Sequence, residues 1–287
     1  MGSDTSDAAE FHSRSHPPPL SLVPTPPMTD SPLLIADQGA VRLITVNRPD
    51  KLNALNLATL DALHLAFDDA AVNPAVRVVV LTGTGPKAFV AGADIAEMNT
   101  LTPVQGRDFS LRGQRMMRRV ERMPKPVIAM LNGFALGGGL ELAMCCHLRI
   151  AADTAKLGQP EINLGLIPGF GGSQRLLRLA GRAATLELCL LGTPINAARA
   201  CELGIVNRVV ATAELATETM KLAEQLAQAA PLALRGMLDC INIGGECGIE
   251  EGLEYEAAQF GLMFSTSDMR EGTSAFLERR KPDFTGA

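Results

Sequence analysis

The sequence predicts an α/β fold with mainly parallel strands, followed by a helical region. From about residue 33, short runs of β-branched and aliphatic residues alternate with longer segments whose apolar residues recur at helical spacing. After about residue 213 the helical pattern continues almost without interruption. Strands that alternate with helices along the chain are typical of parallel sheets covered by helices.

Four segments have the composition of strands. They are VRLITV (41–46), VRVVVLTG (76–83), PVIAML (126–131) and IVNRVV (205–210). The unbroken apolar character of VRVVVL predicts a strand that is buried on both faces. Between the first two strands, LATLDALHLAFDDAAV (57–72) has apolar residues at helical spacing and predicts a helix.

The chain divides into three regions. Residues 1–32 carry seven prolines between Pro17 and Pro32, a composition that resists both helix and sheet and predicts a disordered leader. Residues 33–212 form the predicted α/β core. Residues 213–287 form the helical region, which is too long to bury its own apolar surface, so we expect it to pack on the core, on another subunit, or on both.

Composition excludes several classes of function. The net charge of −5 gives no general attraction to nucleic acids or anionic membranes. No apolar run approaches the ~18 residues of a membrane span, and the N-terminus lacks the pattern of a signal peptide. The six cysteines form no CxxC pair and the four histidines lack metal-ligand spacing. We therefore expect free thiols, a cytoplasmic protein and no bound metal.

A run of three glycines, Gly137 to Gly139, opens an apolar helical segment within NGFALGGGLELAM (132–144). The first N–H groups of a helix have no partner inside it, and the helix dipole makes this end partly positive. A helix that begins on bare glycines can therefore present its N–H groups to an oxygen that becomes negative. Tight packing of the helix on a strand also requires glycine, so both interpretations remain open.

A second small-residue turn follows the buried strand, in GPKAFVAGADIAEM (85–98). Here Ala91, Gly92 and Ala93 lead into a predicted helix start at Asp94, whose side chain is suited to cap that helix. Two main-chain turns that each follow a strand could supply two N–H groups to one oxygen. That arrangement is the requirement of an oxyanion hole.

Two glutamates lie in otherwise apolar or glycine-rich surroundings. Glu141 belongs to the glycine-led helix, and Glu161 follows Gln159-Pro160 in LGQPEINLGLIPGFGGSQRL (157–176). Each alone is compatible with a structural acid that has a paired partner. Together, beside a candidate oxyanion hole, they indicate a general acid–base pair. In the same segment, Ser173 is the predicted cap of the next helix.

These segments, in this order, resemble the enoyl-CoA hydratase/isomerase (crotonase) superfamily. NRPDKLNALN (47–56), LLGTPINAARACELGIVNRVV (190–210) and REGTSAFLERRKPDF (270–284) extend the resemblance to roughly residues 33–286. It implies a spiral of ββα units followed by a helical trimerisation region. It also implies a coenzyme A thioester as substrate, no cofactor beyond that substrate's own coenzyme A, and a hexamer built from two trimers.

The family's functional positions fall on this chain one at a time. The N–H groups of Ala93 and Gly138 would be the two donors of the oxyanion hole. Glu141 and Glu161 would be the two carboxylates of a hydratase. The positions that bind substrate would be Ala54, at the adenine pocket, and Asp94, Ile95 and Ala96, along the acyl-CoA.

Retention of both carboxylates favours hydration, since family isomerases commonly keep only the later one. We expect Glu141 to deprotonate water, with the helix dipole favouring its anion. We expect Glu161 to deliver a proton to Cα, with its pKa raised because its loop is partly apolar.

Two other functions remain as alternatives. One is an enoyl-CoA isomerase or another acyl-CoA-processing relative. The other is an RNA-binding relative, since Arg112, Arg115, Arg119 and Arg122 share one face of a predicted helix. The acidic net charge and the absence of interleaved aromatic residues argue against RNA, and a solvated face paired with acids is the simpler interpretation.

Overall fold

A computed structural model describes residues 31–287, so the predicted leader lies almost wholly outside the described residues. The strands are β1 (Leu33–Gln38), β2 (Val41–Val46), β3 (Val78–Gly83), β4 (Ala88–Val90), β5 (Val127–Leu131), β6 (Phe134–Leu136), β7 (Leu148–Ala152), β8 (Lys156–Gly158), β9 (Ile195–Asn196) and β10 (Arg208–Val210). The helices are α1 (Leu57–Val72), α2 (Ile95–Met98), α3 (Pro103–Glu121), α4 (Gly138–Cys145), α5 (Gly172–Leu191), α6 (Ala197–Glu202), α7 (Leu215–Ala227), α8 (Pro231–Gly244), α9 (Ile249–Met263) and α10 (Ser267–Glu278).

Six strands form the larger sheet, in the order β1-β2-β3-β5-β7-β10. All neighbours run parallel except β1 and β2, which form an antiparallel pair. The prediction of a mainly parallel α/β fold is therefore confirmed. The prediction for IVNRVV was too long, because only Arg208–Val210 pairs with β7.

Strand β3 is buried along its whole length, as its apolar run predicted. Val79 and Leu81 belong to the main hydrophobic core, which includes residues of α1 and α3. Val78 and Val80 point to a second core on the other side of the sheet, which includes residues of α7. Because both faces are covered, the strand is apolar except at Thr82, whose buried hydroxyl donates to the Met130 carbonyl oxygen at 2.9 Å.

A second sheet of four short strands has the order β4-β6-β8-β9. Strands β4, β6 and β8 run parallel to one another, and β9 is antiparallel to β8. The chain passes three times through a strand of the large sheet, a strand of the small sheet and then helix, as β3-β4-α2, β5-β6-α4 and β7-β8-α5. This repetition is the spiral of ββα units expected from the resemblance.

Helix α5 begins differently from its prediction. Gly171 occupies the position before the first helical residue, with a φ of 103°, and no side chain caps the helix. Ser173 lies inside the first turn, so its predicted role as the cap is wrong. The N–H group of Gly172, the first helical residue, instead donates to the side chain of Glu141 at 2.6 Å, and Arg175 donates to the Phe170 carbonyl oxygen in the preceding loop.

The C-terminal region is helical from α7 to α10, as predicted. Helix α7 packs on the large sheet through Leu215 and Ala223. Helices α8 and α9 leave large apolar side chains exposed, including Met237, Ile241 and Phe260, which are 56–66% exposed. Within residues 31–287, no helix combines the length and the apolar character needed to cross a membrane.

Candidate active site

The predicted site residues come together because three parallel strands end at one edge of the small sheet. Strands β4, β6 and β8 end at Val90, Leu136 and Gly158, and the chain then leaves the sheet each time. The carboxyl ends of parallel strands meet at the same edge, which is where ligands bind in open α/β sheets. The turn with Ala93, the start of α4 and the segment with Glu161 follow these three ends in turn.

The N–H groups of Ala93 and Gly138 are neighbours. A Cβ atom placed on Gly138 would lie 3.4 Å from the Ala93 nitrogen. Among residues 31–287, neither of these N–H groups has a hydrogen-bond acceptor. Two unused main-chain donors that lie side by side can bind one oxygen together.

The glycine run makes this approach possible. Gly137 has a φ of 50°, which residues with side chains rarely adopt. A Cβ atom on Gly139 would lie only 1.8 Å from the carbonyl oxygen of Val90, so helix α4 packs directly on the backbone of β4. Both sequence interpretations of the glycines are therefore present together: tight packing on a strand, and free N–H groups at the helix start.

Glu141 lies in the first turn of α4 and is 1% exposed. Its Oε1 atom accepts hydrogen bonds from the N–H groups of Phe170, at 2.7 Å, and Gly172, at 2.6 Å. Both donors belong to the loop and first turn that lead into α5. The carboxylate of one ββα unit is therefore held by the main chain of the next.

Burial, rather than the helix dipole, dominates the pKa of Glu141. Loss of solvent, together with the negative charge of Glu161, raises this pKa from 4.5 to about 7, although the N–H groups of Gly172 and Phe170 act in the opposite direction. We expected the helix start to favour the ionised form of Glu141. This expectation is wrong, because the surroundings together favour the protonated form. A carboxyl group with this pKa can exchange a proton near neutral pH.

Glu161 is half-buried and belongs to a short 3-10 helix (Pro160–Leu164), where the sequence predicted a loop. Its Oε1 atom would lie 2.9 Å from a Cβ atom on Gly137, so it reaches the same helix start. Burial raises the pKa of Glu161, in the direction that its apolar surroundings predicted. The fully buried Gln159, with its amide nitrogen turned to the carboxylate, donates to the two Glu161 oxygens at 2.9 and 3.1 Å.

Ala54 and Asp94 are joined by an arginine that the sequence analysis did not single out. Arg48 donates to the Ala54 carbonyl and to Asp94 Oδ2, the latter at 2.8 Å. Asp94 also caps α2 by accepting from the Ala96 N–H, as predicted. Ile95 and Ala96 follow on the exposed side of this short helix. The four predicted substrate-binding positions therefore lie on two neighbouring segments: one contains Ala54, and the other directly follows Ala93.

Several residues at the site could not have been predicted from their local sequence alone. Gln159, Phe170 and Gly172 contact the two glutamates through loops whose path the sequence does not fix. Arg48 stands in NRPDKLNALN, a quoted segment, but its partner Asp94 is 46 residues away. Only the resemblance of that segment to the family could have indicated a role for it.

The arginine face of α3 is largely neutralised by acids. Arg112 and Arg119 pair with Asp61 and Asp68 of α1. Arg122 lies 3.2 Å from Glu246, in the turn after α8. This pairing agrees with the simpler interpretation of that face and removes most of the positive charge that an RNA surface requires.

Comparison with known proteins identifies the class to which this fold and site belong. Residues 36–287 match the family described as enoyl-CoA hydratase/isomerase, and the chain belongs to this family.

Individual relatives align with the chain over nearly the whole of the region that matches the family. The chain is 46% identical over 256 residues to the crotonyl-CoA hydratase of Syntrophomonas wolfei, covering 88% of this chain and 97% of that protein. It is 43% identical over 249 residues to the short-chain-enoyl-CoA hydratase of Clostridium acetobutylicum, covering 87% and 95%. A crystal structure of enoyl-CoA hydratase from Bacillus anthracis superposes with a TM-score of 0.86 at 38% identity, covering 89% of this chain and all of that chain.

Proposed function

We propose that this protein is an enoyl-CoA hydratase, which adds water across the 2,3 double bond of a 2-enoyl-CoA to give a 3-hydroxyacyl-CoA. The observation that carries the proposal is the pair Glu141 and Glu161 beside the unbonded N–H groups of Ala93 and Gly138. The names of the two relatives support hydration, and they favour short substrates such as crotonyl-CoA. This chemistry belongs to fatty acid metabolism.

The proposed mechanism assigns one task to each group. Addition of water at C3 moves negative charge to the thioester oxygen, and the N–H groups of Ala93 and Gly138 stabilise that charge as an oxyanion hole. Glu141 accepts a proton from the attacking water, and Glu161 gives a proton to C2. One proton leaves water and one joins the substrate, so the pair returns to its starting charge after a proton passes between the two carboxyl groups.

Coenzyme A enters as part of the substrate, and the proposed reaction uses neither a separate cofactor nor a metal ion. Ala54, Asp94, Ile95 and Ala96 are the proposed contacts for the acyl-CoA. Arg48 connects the two segments that carry these residues, through its hydrogen bonds to the Ala54 carbonyl oxygen and the Asp94 carboxylate. The six cysteines are free thiols, which agrees with a reducing compartment such as the cytoplasm.

We also propose that the protein assembles as a trimer or as a dimer of trimers. The exposed apolar side chains of α8 and α9 exceed what a lone helical hairpin normally presents to water, and a symmetric assembly would bury them. Sedimentation equilibrium is expected to give three or six times the chain mass of 30.4 kDa. A stable monomer at micromolar concentration would contradict this assembly.

The hydratase proposal is tested by the absorbance of the conjugated enoyl thioester. Addition of the protein to crotonyl-CoA should remove this absorbance, and mass spectrometry should detect the product with one added water. A longer 2-enoyl-CoA and a 3-enoyl-CoA serve as comparisons for chain length and for isomerisation. If 2-enoyl-CoA substrates stay unchanged while a 3-enoyl-CoA is converted, the protein is an isomerase instead.

A further inference from the structure

Behind Glu141, an ion pair connects the last residue of α3 to the first turn of α5. Arg175 Nε and one of its terminal nitrogens each lie 3.0 Å from a different carboxylate oxygen of Glu121. The Arg175 side chain is only 15% exposed. A two-point pair of this kind fixes the orientation of the guanidinium plane as well as its position.

The remaining terminal nitrogen of Arg175 donates to the carbonyl oxygen of Phe170, at 2.8 Å. The N–H group of this same Phe170, with that of Gly172, binds Oε1 of Glu141. The Arg175 guanidinium therefore binds a carbonyl oxygen of the same loop whose N–H groups bind the Glu141 carboxylate. Gly171, between the two donors, has a φ of 103°, which glycine adopts readily, so the N–H groups on its two sides can converge on one oxygen.

The other end of the ion pair is fixed in turn. The Glu121 carbonyl oxygen accepts from the side-chain amide of Asn242 on α8, at 3.0 Å, and lies 3.2 Å from Nε2 of His147. Contacts from α8 and from the segment before β7 thus anchor the end of α3. The guanidinium is positioned by parts of the chain that do not themselves reach the site.

We propose that the pair Arg175–Glu121 positions the general base Glu141 by holding the loop that carries its two N–H donors. This inference rests on the proposed function, because it assigns Glu141 the role of base. Arg175 itself touches no substrate, so it is a positioning residue. Its loss should act through the geometry and the proton affinity of Glu141.

The charges around Glu141 fix the direction of the pH effect. Glu161 from the 3-10 helix raises its pKa, whereas Arg175 from α5 lowers it. The thiols of Cys145 on α4 and Cys189 on α5 lie nearby, and burial raises the pKa of each, so they remain neutral near pH 7. Removing the guanidinium and loosening the N–H groups both favour protonated Glu141. The acidic limb of the pH profile should therefore move to higher pH.

The test compares Arg175→Met and Arg175→Lys with Arg42→Met. Arg42 is a matched control, because it is also buried and forms a two-point pair, with Asp37 of β1, remote from the site. With crotonyl-CoA, Arg175→Met should lower kcat by about 10- to 100-fold with little change in KM, as expected for a displaced base. Its acidic limb of kcat/KM should move to higher pH. Arg175→Lys retains the positive charge, so its acidic limb should lie close to the wild-type position, while only part of the wild-type kcat should be restored.

Hydrogen exchange measured by mass spectrometry gives a second readout that needs no activity. Peptides that contain Phe170 and Gly172 should exchange faster in Arg175→Met and keep wild-type rates in Arg42→Met. If the wild-type protein hydrates crotonyl-CoA but Arg175→Met keeps its kcat, its pH limb and its exchange rates, the positioning role is overturned while the proposed function stands. If the wild-type protein does not hydrate crotonyl-CoA, faster exchange still supports the loop contact, and unchanged exchange overturns it.

Discussion

Helices α1 and α3 begin on polar side chains, whereas α4 and α5 begin on glycine. At α1, Asn56 accepts from the N–H group of Thr59, and at α3 the hydroxyl of Thr102 accepts from that of Gln105. These two helices cover the large sheet, and side chains satisfy N–H groups in their first turns. They are parts of the scaffold.

At the candidate site, the first N–H groups remain available to other acceptors. Gly137 and Gly171 precede α4 and α5, have positive φ angles and offer no capping side chain. At α5 the Gly172 N–H binds Glu141, and at α4 the Gly138 N–H has no acceptor within residues 31–287. In this fold, therefore, side-chain caps satisfy N–H groups in the first turns of some helices, whereas the first N–H groups of others can bind a negatively charged group.

The largest expected effect comes from removing the carboxylates beside the free helix starts. Glu141→Gln and Glu161→Gln keep the size of the side chain but cannot exchange a proton. Each should slow hydration of crotonyl-CoA by about 10²–10⁴-fold. Under the proposed mechanism the two carboxyl groups work in one sequence of proton transfers, so the double variant should be little slower than the slower single variant. Glu218→Gln, on the scaffold helix α7, is the control and should keep the wild-type rate.

The same variants separate hydration from isomerisation. Moving a double bond along the chain needs no added water, so isomerisation of a 3-enoyl-CoA should suffer more from Glu161→Gln than from Glu141→Gln. Hydration at the wild-type rate in Glu141→Gln would contradict the two-carboxylate mechanism.

The next effect comes from deleting a donor at the start of α4. Gly138→Pro removes one N–H group, and loss of one oxyanion donor typically slows turnover by about 10²–10³-fold. Proline is compatible with the first helical position, which Pro103 occupies in α3. Gly138→Ala retains the N–H group, and its Cβ would meet its neighbours at 3.4 Å, so it is the matched control. Circular dichroism should show both variants folded; wild-type activity in the folded Gly138→Pro variant would rule out Gly138 as a donor.

Glu141 should also reduce stability at the pH where it works. In the folded state its pKa is raised from 4.5 to about 7, so its stabilising contribution is complete below pH 4.5 and is lost as pH rises through 7. The neutral amide in the Glu141→Gln variant would carry no such pH dependence while its oxygen still accepts from Phe170 and Gly172. This variant should therefore be more stable than wild type at pH 8, by about 3 kcal/mol at most.

Thermal unfolding at equal protein concentration measures this effect. The difference in Tm between Glu141→Gln and wild type should be larger at pH 8 than at pH 5. A difference that is equal at both pH values would show that Glu141 is not buried with a raised pKa.

The smallest effects distinguish the two kinds of helix start directly. Asn56→Ala removes a side-chain cap from α1 and should cost about 1 kcal/mol of stability. Ser173→Ala changes a residue that has the composition of a cap but lies inside α5, so it should change stability by less than about 0.5 kcal/mol. Urea unfolding of both variants measures the contrast. Equal losses would mean that Ser173 does support its helix start.

The large sheet could be predicted from the sequence because its strands are long enough to show a pattern. VRVVVLTG predicted the end and the burial of β3, which begins two residues later than predicted, at Val78, and the segment 57–72 matched α1 at both ends. Strands β4, β6 and β8 have three residues each, too few for any periodicity. They were missed, although they place the site.

The proximity of the candidate residues was predicted better than their environment. Glu141, Glu161, Ala93 and Gly138 were singled out from local glycines and lone acids, together with the family resemblance, and the structure brings them together. The pKa of Glu141 was misjudged because the helix dipole is a local effect, whereas its burial depends on Phe170 and distant parts of the chain. Arg175 was missed for the same reason, since its partner Glu121 is 54 residues away.

The close packing of Gly139 on Val90 has a consequence for mutational surveys of this protein. The proposed oxyanion donors are main-chain atoms whose separation is fixed by backbone contact. Replacing each side chain by alanine leaves both donors in place: Ala93 is already alanine, and Gly138→Ala keeps its N–H. An alanine scan would therefore detect the proposed catalytic carboxylates and miss the two proposed main-chain donors. Replacing single peptide bonds by esters, which deletes an N–H while keeping every side chain, would make them visible.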